Sequence, residues 1–126
     1  MGIISAEIEL SNPRRPDLKA IRVNALADTG SVHLVLPEHI VLQLQLEEAQ
    51  KKEVTTADGK KHLCPYVGPL KVEFFGRVSF TGAIVLGDQV LLGAIPMEDM
   101  DIVLAPKLNS VQANPDSPNF PSSIAK

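Results

Sequence analysis

A single cysteine, Cys64, stands among the 126 residues, so neither an internal disulfide framework nor a cysteine-based metal site is available. That scarcity reads as a reducing compartment, and the protein is expected to be cytoplasmic. Tryptophan is absent, and Tyr66 with four phenylalanines completes the aromatic set. So few rings argue against a stacking platform for single-stranded nucleic acid. Positive charge is not in excess either: the formal net charge of −3 speaks against nucleic acid as a partner. Lys51, Lys52, Lys60 and Lys61 cluster, but Glu47, Glu48 and Glu53 offset them, which is the pattern of a solvated face. No apolar run approaches a membrane span, and Met1 to Glu7 carry no basic region, so neither a signal peptide nor a membrane partner is expected. Ala6 stands where a myristoylation pattern on Gly2 would need Ser or Thr. His33, His39 and His62 lack ligand spacing, so no metal and no cofactor is expected.

What remains is the composition of a globular protein, 44% apolar and 21% charged. The length favours one domain able to bury roughly two thirds of its unfolded surface. Ile4, Ala6, Ile8 and Leu10 alternate with polar residues, a strand ended by the Pro13/Pro16 turn. A second strand runs from Leu18 to Ala27. Pro37 with Glu38 opens a short helix over Glu38 to Leu44, against which Val41 to Leu46 also alternates as a strand would. Asp58-Gly59 between β-prone segments predicts a hairpin. Strands follow from Tyr66 to Phe74 and from Val78 to Leu86, with turns at Gly76-Arg77 and Gly87-Asp88. Val90 to Leu92 is a short apolar strand, Pro96 to Met100 a brief helix with Pro at its start, and Asp101 to Ala105 a last strand. Many short strands with one or two short helices indicate an all-β barrel or sandwich. The domain is expected over residues 1–106. Residues 107–126, rich in Pro, Ser and Asn, read as a flexible tail.

The chain is organised around Ala25 to Pro37, where an apolar strand ends in Asp28-Thr29-Gly30-Ser31 and a second apolar run restarts. Glycine lets the backbone fold back, and the Thr and Ser hydroxyls can lock the loop through local hydrogen bonds. Such a loop holds Asp28 in a fixed direction between Leu26 and Val35. Alone, the triplet is also an ordinary Asx-type turn, but an exposed turn is not usually bracketed by apolar runs. The stretch resembles the active-site signature of the aspartic proteases, and its single occurrence in a short chain resembles the retropepsin-like, retroviral-type branch (clan AA). Two further elements lie in the family's order. The Asp58-Gly59 hairpin (Ala57, Asp58, Gly59, Lys60) falls where those proteases carry a flap. Val90-Leu91-Leu92-Gly93 is similar to the element that precedes a short helix and, with Leu92 and Gly93, forms a supporting crossover beside the catalytic loop.

The resemblance implies a closed-barrel acid-protease fold and an aspartic endopeptidase, with Asp28 catalytic and Thr29, Gly30 and Ser31 supporting it. Hydrolysis by this chemistry uses two carboxylates sharing a proton, one activating water and the other donating to the carbonyl oxygen. Packed carboxylates cannot both ionise easily, and they titrate as a unit. One Asp-Thr-Gly per chain therefore implies a homodimer with Asp28 facing Asp28 across a two-fold axis, acting on a peptide or protein substrate. Ile3-Ile4 and Ile102 to Leu104 could interleave between subunits, as in the family, or be edge strands of one chain. Two features depart from the pattern. His33 either contributes to a specificity pocket or is a solvated polar residue, and Lys60 with Lys61 makes the flap tip polar. The alternatives are a non-catalytic peptide-binding module on the same fold and a plain β-barrel interaction domain with a fortuitous triplet.

Overall fold

The computed structural model describes residues 3–125; Gly2, the residue weighed for acylation, lies outside them. Strand β1 (Ser5–Ser11) points Ala6, Ile8 and Leu10 inward and pairs antiparallel with β2 (Ile21–Ala27), Ile8 opposite Val23. After β3 (Leu34–Leu36), buried throughout, helix α1 (Glu38–Gln43) follows Pro37, the residue just before it. The competing strand at Val41 to Leu46 does not form. Ile40, Val41 and Leu44 share one face in the core, and Gln45 turns left-handed (φ 51) to end the helix.

Strands β4 (Glu47–Thr55) and β5 (Lys61–Phe74) make a long hairpin, and β5 continues into β6 (Arg77–Val85). The turn between β5 and β6 is Phe75-Gly76, both at positive φ (46 and 82), the pairing that suits a two-residue hairpin. Arg77, expected in that turn, instead begins β6 and is buried. Strand β7 (Val90–Leu92) leads through Gly93 into α2 (Ala94–Met100), which starts two residues before Pro96. The missing Pro96 N–H costs nothing there, because the first turn of a helix has no intrahelical acceptor for it.

The order β1-β2-β7-β3-β6-β5 closes on itself where Leu10 of β1 meets Val72 of β5. The result is a six-stranded closed barrel with two short α-helices, and β4 hangs outside it on β5. Leu10, Leu36, Leu70 and Leu92 are fully buried inside, each contributing about 1.5–3 kcal/mol by removal from water.

From Ile102 the chain differs from what composition suggests. Strand β8 (Ile102–Ala105) and a single 3-10 turn (Pro106–Leu108) are followed by β9 (Ser110–Ala113), which pairs back on β8. Val111 is buried in the main core. Beyond β9, Asp101 accepts hydrogen bonds from Asn114 Nδ2 (3.0 Å), Ser117 Oγ (2.6 Å) and the Ser122 N–H (2.9 Å). The buried Arg77 guanidinium donates to the carbonyl oxygens of Asp101 (2.9 Å) and Ser117. Residues 107–122 are therefore fastened to the barrel rather than trailing from it. Two charged side chains supply the polar contacts that so few apolar residues could not replace.

Candidate active site

Strand β2 runs parallel to β7, with Ala27 beside Leu92, and the ladder extends one step further, since the Asp28 N–H donates to the Leu92 carbonyl at 3.0 Å. The chain then turns. The Gly30 N–H donates to Asp28 Oδ1 (2.9 Å), the Ser31 hydroxyl to Oδ2 (3.3 Å), and the Ser31 N–H to the Asp28 carbonyl (3.1 Å). Both carboxylate oxygens are thus held by residues two and three positions on, while the group itself remains exposed.

Gly30 is not in the left-handed region, so its value does not lie in conformational freedom. A Cβ there would stand 3.1 Å from Asp28 Oδ1, tight enough to crowd the carboxylate that its N–H serves. Gly93 is more constrained: a Cβ would meet the His33 carbonyl oxygen at 2.2 Å and that of Ser31 at 2.7 Å. The close approach lets the next two N–H groups, Ala94 and Ile95, donate to the carbonyls of Ser31 and Val32, both at 2.8 Å. Helix α2 has no side-chain cap, and the loop carbonyls satisfy donors that a helix start leaves free. Loop and helix are therefore one piece. Thr29 is exposed and faces the other way, into a groove of about 660 Å³ along α2 and β8.

Asp28 lies in a cleft of about 710 Å³. Residues 28 and 30–33 line one side, residues 52–57 of the β4–β5 hairpin line the other, and Val35, Ile84, Leu86 and Leu91 form an apolar wall. Those four, with Cys64 and Val54, belong to a small second core that roots the hairpin on the barrel. At the tip, Asp58 Oδ1 accepts from the Thr56 hydroxyl (2.5 Å) and the Lys60 N–H (3.0 Å), and Gly59 supplies a positive φ of 82. The Thr56 hydroxyl, then the Lys60 N–H, hold the Asp58 carboxyl below its ordinary range. Asp58 serves the turn. Ala57 lines the cleft.

His33 and Lys52 meet in the same cleft. The Lys52 ammonium is 3.5 Å from His33 Nε2 and 4.4 Å from the centre of the Tyr66 ring, and the His33 and Tyr66 rings are 5.5 Å apart. An ammonium has no lone pair, so Nε2 is the acceptor and the imidazole proton sits on Nδ1, which is buried without a partner. Burial first, then the Lys52 charge, holds the His33 pKa below its ordinary value. Lys52 is thereby drawn out of the solvated face to which its neighbours assign it. The signal for it was the alternation of Lys52 and Val54 on the inward side of β4, continued by Thr56 just past its end. Among the described residues, no group of His, Cys, Asp and Glu could hold a metal ion. Nor is any helix long and apolar enough to cross a membrane.

The fold is similar to that of a solved structure, the EIAV protease complexed with the inhibitor HBY-793. The match has a TM-score of 0.63 and covers 82% of this chain and 93% of that one. The fold is retropepsin-like. Sequence identity over the match is 17%, so the likeness is one of architecture. No family model matches the sequence, and no curated protein matches it. On this barrel Leu92 and Gly93 pack against the Asp28 loop, and that loop faces residues 52–57 of the β4–β5 hairpin across one cleft. Thr29 faces a second groove instead.

Proposed function

We propose that the protein is an aspartic endopeptidase, active as a homodimer that cleaves an extended peptide lying between the Asp28 loop and the β4–β5 hairpin. The observation that carries this reading is the exposed Asp28 carboxylate. Its oxygens are oriented by Gly30 and Ser31, and it lines a peptide-sized cleft on a retropepsin-like barrel. One Asp28 activates water and its counterpart, protonated, donates to the carbonyl oxygen. The chain offers one such loop, so the site is complete only when two chains meet. The face for that meeting is the exposed Asp28-Thr29-Gly30 loop itself, flanked on its Thr29 side by α2 and β8. Cys64 as the sole cysteine fits a cytoplasmic setting.

The test is digestion of a mixed peptide library by wild type and Asp28→Asn, in which the amide keeps the shape but cannot share the proton. Wild type should cleave and the variant should not. Activity per chain should fall on dilution, and excess Asp28→Asn should poison wild type through heterodimers with a single carboxylate. Equal cleavage by Asp28→Asn, or full activity of dilute monomer, overturns the reading. Binding without cleavage by wild type marks a peptide-binding module instead.

A further inference from the structure

Lys52 is half-buried on the cleft side of β4, aligned with Val54 and Thr56. Lys51 and Lys61, close to it on the same hairpin, have carboxylate partners, Glu48 at 3.0 Å and Glu53 at 3.7 Å. The contacts that hold Lys52 are of another kind: the neutral His33 imidazole at 3.5 Å and the face of Tyr66 at 4.4 Å. Both orient the ammonium and neither neutralises it. A half-buried cation fixed by neutral groups has lost part of its hydration without gaining an opposite charge. It is preorganised for an anion arriving from the cleft.

We propose that Lys52 forms an acid-selective subsite, taking the carboxylate of a glutamate or aspartate side chain within a few residues of the scissile bond. His33 and Tyr66 position the ammonium for it. The proposal rests on the peptide-cleft reading above and names the substrate class for that cleft. The other charges confine the preference to one position in each half of the two-chain cleft. Asp28 and Glu53 line the same cleft and repel a second acid, while Val35, Ile84 and Leu91 favour apolar side chains at neighbouring positions.

The experiment compares short peptides that differ only by Glu, Gln or Lys, walked one position at a time along a cleaved sequence. Wild type should prefer Glu by about tenfold in kcat/KM at one position on each side of the scissile bond, one for each chain's Lys52, the effect of one partly desolvated charge pair. Lys52→Met should bring that ratio to about one, and Lys52→Arg should keep it. Lys52→Glu should turn the preference toward Lys, which tests the subsite even if the Met variant fails to fold. Cleavage by wild type with no Glu preference, or a preference unchanged in Lys52→Met and Lys52→Glu, overturns the subsite while leaving the endopeptidase reading intact. If wild type cleaves nothing, the endopeptidase reading fails, and Glu and Gln pairs walked along an extended library peptide, labelled with fluorescein, are titrated by anisotropy. Tighter binding of the Glu member that is lost in Lys52→Met supports the subsite. Equal affinity, or no binding of either member, overturns it.

Discussion

Gly93 sits where two backbone segments come closer than any side chain allows, and the Asp28 loop depends on that approach. In Gly93→Ala, the new Cβ would collide with the carbonyls of Ser31 and His33. Backbone atoms cannot step aside as a flexible side chain can, so the loop and α2 must separate. The expected cost is about 1–3 kcal/mol of stability, as for other overpacked sites, read as a lower urea midpoint. Cleavage should fall further than stability, because Asp28 moves with the loop. The loop itself was legible in the sequence because its bonds are local: Asp28 is held by Gly30 and Ser31, two and three residues away. Lys52 was not legible in the same way. Its surroundings are made by His33 and Tyr66, 19 positions away in the first case, and a charge count over neighbours sees only the glutamates beside it.

The strands that alternate apolar and polar residues, β1, β2 and the barrel half of β5, could be read from periodicity because one face of each is buried. The first part of β4 could not. Residues 47–51 are exposed on both faces, and a strand outside the barrel has no apolar side to declare. The same openness predicts motion. With β5 as its only strand partner among the described residues, the hairpin tip should exchange its amides faster than β1 and β2 do. A bound peptide mimic should slow exchange from Thr56 to Lys61; equal rates with and without it would remove the flap role. The C-terminal stretch was misjudged for another reason: composition shows the shortage of apolar residues but not the Arg77–Asp101 clasp that replaces them. Ending the chain after Leu108 removes Val111 from the core and leaves Arg77 without the Ser117 carbonyl. The loss should be about 3 kcal/mol, measured by thermal or urea melting. Hydrogen bonds from Ser117, then Asn114 and Ser122, lower the Asp101 carboxyl from 3.8 to about 2. A depressed acid stabilises fully above its ordinary value and loses that contribution as pH falls through about 2. The Ser122 amide resonance should therefore titrate in that range, and not at all in Asp101→Asn.

Closure of the barrel is a property of the whole molecule, and the register that makes it, Leu10 against Val72, joins residues that no local pattern connects. The amphipathic strands and turns indicated a barrel or a sandwich, and only this long-range pairing decides between them. One joint has a wider consequence. The first N–H groups of α2 are bonded to the carbonyls of Ser31 and Val32, so the helix and the Asp28 loop shift as a single body. Helix α2, through Ala94, Met97 and the exposed Glu98, lines the groove beside Thr29, and the loop lines the cleft. Occupying either side biases the position of the same body. Where two sites share one such element, their coupling is reciprocal by thermodynamic necessity. On the two-chain reading, a peptide mimic in the cleft should tighten association by the same factor as association tightens the peptide. Sedimentation of the Asp28→Asn protein at rising mimic concentration should show the dimer persisting to greater dilution, and Gly93→Ala should weaken that linkage.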